Sequence, residues 1–280
     1  MVKKIPAGER RTAGQLRQAY EIEKELASRL RHADRSRRKE EYRAAYDEWY
    51  ERVFRDKQLR PGDAVSRKTS VREQKMLLAR FLRPQSRFLE IGPGDCSLSV
   101  EIAEQVKEVY AVDVSGRAAE GVRLPANCTF ILSDGCGVPL PPGSVDMAYS
   151  NQVLEHLHPE DAGEQVRDVC NALVPGGMYL CVTPNRLYGP HDISGYFDEV
   201  ATGFHIREYT VTELVCIFRK AGFSRSRLLI GAKGRYIAVP AWPVRLVEAL
   251  LDRLPRGLGR SLASLPPFKL VLGIKLLAVK

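Results

Sequence analysis

The sequence predicts an α/β protein with a doubly wound, mostly parallel sheet covered by helices on both faces. Three observations carry that reading. From about residue 85 onward, short apolar runs alternate with stretches of helical spacing. The first run, RFLEI at 87–91, empties directly into Gly92-Pro93-Gly94. The length, 280 residues, suits one large domain with an extension better than several units.

The elements follow in order. Residues 16–56 read as helical, with Tyr42, Tyr46, Trp49 and Val53 on one face and Arg43, Asp47, Glu48 and Arg52 opposite. Such an aromatic stripe either packs on the next domain or closes over a ligand. Arg60-Pro61-Gly62-Asp63 is a turn signal, so the expected boundary divides a helical extension, 1–62, from the α/β domain, 63–280. Strands are expected at 87–91, 109–114, 128–133, 145–150 and 178–183, with a helix over 97–106. Val166, Val169, Cys170 and Leu173 fall at helical spacing, and Pro175-Gly176-Gly177 should end that helix. The stretch 184–209 is long for a connection and reads as a lid. Thr210 and Glu213 form a capping box opening a helix that buries Leu214, Ile217, Phe218 and Ala221, and Gly222 closes it. Two last strands, 227–230 and 270–279, flank a basic, apolar helical insert at 241–266 that holds Trp242, Leu246 and Leu250.

An apolar share of 44% is enough for a buried core. Six cysteines without a CxxC pair suit buried thiols in a reducing compartment rather than disulfides or zinc. The basic start is followed by no apolar segment of the secretory kind, and no run approaches the roughly 18 apolar residues of a membrane span, so a cytoplasmic protein is expected. The net charge of +9 sits at the ends. Residues 1–60 carry 17 basic against 11 acidic side chains, 235–280 carry 8 against 2, and 61–234 carry 18 against 21. Basic ends can meet nucleic acid, anionic lipid or glycan, although solvated helix faces more often account for them. The insert at 241–266 could likewise lie on a membrane surface, pack on the sheet edge or make a dimer contact.

In an open parallel sheet, ligands bind beyond the carboxyl ends of the strands. Gly92 and Gly94 would let the backbone approach a ligand there without a Cβ in the way. A bare GxG serves dinucleotide, flavin and S-adenosylmethionine sites alike. Here Ser97 occupies the third glycine position of the dinucleotide fingerprint, and Glu90 would repel a pyrophosphate but attract an amine. LEIGPGDCSLS resembles motif I of the class I S-adenosylmethionine-dependent methyltransferases, of the type 11 kind, with Cys96 where their last glycine is expected. Asp113, Asp134 in the segment after the third strand, YSNQVLEHL at 149–157 and LVPGGMYLCVTPN follow in that family's order.

The resemblance implies a Rossmann-like seven-stranded sheet, order 3-2-1-4-5-7-6, with the last strand antiparallel. It implies S-adenosyl-L-methionine as cofactor, held by Glu90, Gly92, Gly94, Asp113, Asp134, Gly135 and Asn151. Asp113 would take the ribose hydroxyls and Asp134 the adenine amine. For the acceptor, a hydroxyl needs a proton taker, and His205 and His156 are the candidate catalytic residues, ahead of His191. The lid and the Glu155-His156 pair resemble those of enzymes acting on small molecules or glycans. No metal is expected, because Glu155, His156 and His158 lack a recognised ligand spacing. Sequence-specific nucleic-acid work is argued against: Ser150-Asn151-Gln152-Val153 replaces the base-amino enzymes' Asn/Asp-Pro-Pro-aromatic motif, and no Pro-Cys occurs. The expected function is O-methylation of a small molecule or saccharide, lipid-linked acceptors included. The alternatives are a non-catalytic cofactor-binding scaffold and, more weakly, a reductase. The oligomeric state stays open.

Overall fold

A computed structural model describes residue 5 and residues 8–56, 64–232 and 234–280. The turn at 60–63, and with it the expected boundary, lies outside the described residues. Helix α1 (Ala13–His32) opens on a capping box between Thr12 and Gln15. Helix α2 (Arg35–Trp49) runs on into a π-helical turn, Tyr50–Phe54. The continuous helix expected over 16–56 is therefore broken at Ala33, whose backbone is extended. Helix α3 (Ala64–Leu78) was not legible: its described part is largely polar, and only Leu77 and Leu78 in its last turn are buried.

The sheet contains β1 (Arg87–Ile91), β2 (Glu108–Asp113), β3 (Cys128–Leu132), β4 (Val145–Asn151), β5 (Leu173–Thr183), β6 (Arg225–Ala232), β7 (Arg235–Pro240) and β8 (Ile274–Val279). Helices α4 (Ser97–Ala103), α5 (Pro159–Ala172) and α6 (Val211–Lys220) connect them. The strand order is β3-β2-β1-β4-β5-β8-β6-β7. The expected order is present, with the last strand running antiparallel between the fifth and the sixth. An eighth strand, β7, pairs antiparallel outside β6. On an edge, β7 is mostly exposed on both sides, so no burial period announced it. The helix before β5 ends at Ala172 rather than at Pro175-Gly176-Gly177, which belongs to the strand.

Alternation distributes the strand residues between two cores. Phe88, Met147, Tyr149 and Leu180 pack with Leu98 and Ile102 of α4 on one face. Leu89, Ile91, Tyr179 and Cys181 pack on the other face, in a core that also takes in Leu16, Tyr20 and Leu26 of α1 and Tyr42 of α2. All six cysteines are free, and five are buried.

The insert is three helices, α7 (Ala241–Asp252), α8 (Arg256–Ala263) and α9 (Pro266–Leu272). Since α9 includes Leu270, β8 starts at Ile274 rather than at 270. Glu248 of α7 is buried and caps α6, its carboxylate accepting from the Val211 and Thr212 amides at 2.7 and 2.9 Å. It also accepts from Asn185 Nδ2 at 2.9 Å. Trp242, Leu246 and Leu250, spaced four apart on the same helix, are 57–64% exposed.

The N-terminal helices are bound to the rest by partly and fully buried polar contacts. Arg31 of α1 donates to the carbonyls of residues 201, 202, 203 and 205, the last at 2.8 Å. Arg38 of α2 grips Asp161 of α5 through two hydrogen bonds, at 2.8 and 3.1 Å.

Candidate active site

The order of strands reverses between β1 and β4, and the chain leaves a cavity outside their carboxyl ends. Gly92 and Gly94 turn the chain there with φ of +67° and +54°, a region that a side chain disfavours. A Cβ on Gly94 would meet no protein atom within 4 Å, so the space before it is free for a ligand. Cys96, in the last glycine position of the turn, itself adopts φ +57°. A cysteine thus takes the left-handed conformation at a cost of about 1–2 kcal/mol, and its side chain is fully buried.

Two lobes meet at this turn. The larger-walled one, about 320 Å³, is lined by Gly92, Gly94, Asp113, Ser115, Ser133, Gly135, Gln152 and His156, under a roof of Tyr46, Trp49, Tyr50 and Phe204. The second, about 340 Å³, is lined by Glu90, Asn151, Ser70 and Gln74 and shares Trp49, Tyr50, Gly92, Gly94 and Ala118 with the first. Each lobe is of the size usual for small-ligand sites. The aromatic stripe divides between core and cavity. Tyr42 and Val53 are buried, whereas Tyr46 and Trp49 face the cavity. The Ser115 hydroxyl donates to Asp47 at 2.5 Å, holding α2 across the tip of β2.

The electrostatics ask for a cation. Burial pushes the Glu90 carboxyl up to about 7, partly opposed by the Ser99 hydroxyl that donates to it. Burial also raises Asp113, against the pull of three amides. Those are Gly94, Val114 and Ser115, at 3.3, 2.7 and 3.2 Å from its carboxylate. Asp113 thereby stiffens the glycine turn while facing the cavity.

Six of the seven residues expected at the cofactor converge here: Glu90, Gly92, Gly94, Asp113, Gly135 and Asn151. Asp134 does not join them. It lines an outer cleft of about 800 Å³ with Lys39, Glu164 and Asp168. Its carboxylate pairs with Lys39 at 2.7 Å and accepts from the Cys136 and Gly137 amides at 3.0 and 2.6 Å. Burial opposes ionisation of Asp134, but those partners hold it below its ordinary value. Tyr42 packs against Gly135, 3.1 Å from where a Cβ would stand, and Ser133 lines both the cleft and the cavity. Gln165 of α5, whose amide donates to the Gly135 carbonyl at 3.0 Å, is a cavity residue that sequence reasoning missed. A glutamine on the buried face of an apolar helix was the available signal.

The two candidate catalytic histidines come together from segments far apart in sequence, their rings 4.9 Å apart and edge to face. His156 lines the cavity, and its Nδ1 donates to the Phe204 carbonyl at 2.9 Å. Burial, and then His205, push it down to about 3, so it is a neutral imidazole with Nε2 available. His205 sits behind it, its Nδ1 2.8 Å from Glu208. Burial lowers His205, but Glu208 together with Glu155 and Asp192 carries it above its ordinary value. His191 is turned away, bonded through Nε2 to the Asn185 carbonyl at 3.0 Å. His158 caps α5.

Residues 89–181 match the family model described as a methyltransferase domain. A probable S-adenosylmethionine-dependent methyltransferase of Mycolicibacterium smegmatis is 32% identical over 136 residues, 48% of this chain and 51% of that protein. A ubiquinone biosynthesis O-methyltransferase of Caulobacter is 32% identical over 136 residues, 41% of this chain and 50% of that protein. The chain spans about half the length of these relatives. Among solved structures, a putative methyltransferase of Haloferax volcanii in complex with the Trm112 activator superposes with a TM-score of 0.52. It covers 77% of this chain and 92% of its own at 15% identity, and shows the fold alone. Fold, glycine turn and sequence matches together support a class I S-adenosylmethionine-dependent methyltransferase domain in this chain, the family match itself covering residues 89–181.

Proposed function

We propose that the protein transfers the methyl group of S-adenosyl-L-methionine to a hydroxyl of a small-molecule or saccharide acceptor. The observation that carries this is the pairing of Glu90, buried, and Asp113, half-buried at the cavity wall, two carboxyls with raised pKa values on either side of a glycine turn with ligand space before it. Ligands carrying ammonium and sulfonium charges satisfy such a site, whereas a dinucleotide pyrophosphate would add negative charge beside Glu90.

The residues present fit that cofactor. Glu90 and Asn151 are assigned to its amino-acid end, Asp113 to the ribose hydroxyls, the Gly92 and Gly94 backbone to the chain between. Ser133 and Gly135 take the adenine end in place of Asp134. When bound, the cofactor supplies a methyl group already activated on sulfur. The protein then has to align an acceptor, keep water out and deal with one proton. Tyr46, Trp49 and Phe204 form the dry roof, with Tyr46 and Phe204 rings 5.0 Å apart. His156 offers Nε2 to the acceptor hydroxyl, and the His205–Glu208 pair behind it is the more basic partner. The α/β domain with its helical extension, 184–209 lid and 241–266 insert acts as one catalytic unit in this reading. The exposed Trp242, Leu246 and Leu250 face, in a chain whose described residues include no helix long and apolar enough to span a membrane, favours peripheral contact and a lipid-linked acceptor within the same class.

Calorimetry with S-adenosylhomocysteine and with NADH tests the reading. The thioether should bind, NADH should not, and Asp113→Ala should weaken the thioether at least about 10-fold, the loss of a charge-assisted hydrogen bond. Methylated product should follow from a screen of sugars and lipid extracts. Binding of NADH alone would sink the proposal. Binding without any product, beside a partner interaction that survives Asp113→Ala, would favour a scaffold instead.

A further inference from the structure

Where His156 lines the cavity, it meets two buried side chains, Glu155 and His205, in a cluster that the sequence does not place together. Glu155 and His156 lie on the 3-10 turn after β4, and His205 comes from the 184–209 segment. One potential ligand atom from each lies within 4.8 Å of the other two. Three points no farther apart than 4.8 Å have a common centre at most about 2.8 Å from each, so a closure of under about 1 Å reaches ordinary zinc–nitrogen and zinc–oxygen lengths.

The outer atom of every one of the three is already fixed. The Thr183 hydroxyl donates to Glu155 Oε2 at 2.8 Å, His156 Nδ1 donates to the Phe204 carbonyl at 2.9 Å, and His205 Nδ1 meets Glu208 Oε1 at 2.8 Å. Such partners orient metal ligands and set the imidazole tautomer. What remains is Nε2 on each ring and Oε1 of Glu155. That oxygen is buried without a hydrogen-bond partner, on a residue with no exposed surface. An orphaned buried carboxylate oxygen is costly and needs an explanation.

We propose that Glu155, His156 and His205 hold a divalent transition-metal ion, zinc or a close neighbour, that binds the acceptor. Two imidazoles and one carboxylate are a donor set suited to such ions, and three protein ligands leave a position open. Because His156 lines the cavity, an acceptor oxygen in the cavity can reach that position. His158, which follows two residues later, is spent on the helix cap and takes no part.

The inference rests on the methyltransferase reading for its chemistry. The ion takes the acceptor's hydroxyl oxygen and lowers its pKa. The oxygen–hydrogen bond breaks as the hydroxyl docks, and its proton passes to solvent. An oxygen electron pair then forms the new bond to the methyl carbon, and sulfur keeps the pair of the bond that breaks.

The test uses untagged full-length protein, dialysed against zinc chloride and, separately, cobalt chloride. Metal content should approach about one ion per chain. The cobalt form should show the visible absorption of a four- or five-coordinate ion with nitrogen and oxygen ligands. Glu155→Gln and His205→Gln should each lose affinity by at least about 10-fold, while His158→Gln keeps it. S-adenosylhomocysteine binding, measured by calorimetry on the same samples, should survive in all three. Should a variant fail to fold, the wild-type cobalt spectrum decides alone. Sub-stoichiometric metal without that spectrum, or equal binding by every variant, overturns the site and leaves the histidine-base reading standing. Metal bound without S-adenosylhomocysteine affinity would keep the site and overturn the methyltransferase reading instead.

Discussion

Removing Arg38 should unfasten the roof of the cavity. Arg38 and Asp161 side chains are 5% and 3% exposed and share two hydrogen bonds, at 2.8 and 3.1 Å. Tyr42 adds a bond from its hydroxyl to Asp161 at 2.9 Å and accepts from the His158 amide at 2.7 Å. Breaking a buried pair from one side leaves the other charge uncompensated, at a cost of about 3–5 kcal/mol. Here Asp161 keeps the Tyr42 hydroxyl and a place in the first turn of α5, where a negative charge is stabilised. Arg38→Met should therefore cost about 2–4 kcal/mol, read as a lower urea midpoint at an unchanged slope. Arg38→Met with Asp161→Leu replaces the pair by apolar packing and should recover most of that loss. Affinity for S-adenosylhomocysteine should follow the single variant down, because α2 supplies Tyr46 and Trp49 to the cavity. A loss under about 1 kcal/mol for the single change, or a double change costing the sum of both singles, would refute the reasoning.

Two further outcomes follow from the same geometry. Glu90 is raised to about 7 by burial, so the stability it contributes is complete below about pH 4.5 and is lost as the pH rises through about 7. The ligand-free protein should lose up to about 3 kcal/mol from this group between about pH 5 and about pH 8. Glu90→Gln should flatten that slope in urea titrations, and an unaltered slope would show that Glu90 does not titrate there. Trp242, Leu246 and Leu250 should bring the protein down with sedimenting anionic vesicles, and Leu246→Glu with Leu250→Glu should release it with little change in the melting temperature, since these side chains are mostly exposed. Equal sedimentation of both proteins would remove membrane contact from the account.

Local sequence sufficed for what the backbone itself dictates. The run 87–91 buried on both sides, the glycine turn, the Thr210–Glu213 capping box and the acid at the tip of β2 each follow from residues close in the chain, and each stands where it was expected. The same information did not announce the ion pair of Asp134 with Lys39, which lies on helix α2. It failed at β7 as well, where an edge strand needs no alternation.

Sequence by itself determined that a parallel sheet would bring a bare-backbone turn and two acids to one edge, because period, turn chemistry and strand ends are local properties. Only the tertiary structure decided what covers that edge and what lines the cavity beside it. The α2 roof, the pairing of Asp134 with Lys39 and the meeting of Glu155, His156 and His205 are outcomes of packing between segments far apart in the chain. No spacing rule encodes such contacts, since they depend on how whole helices dock against the sheet.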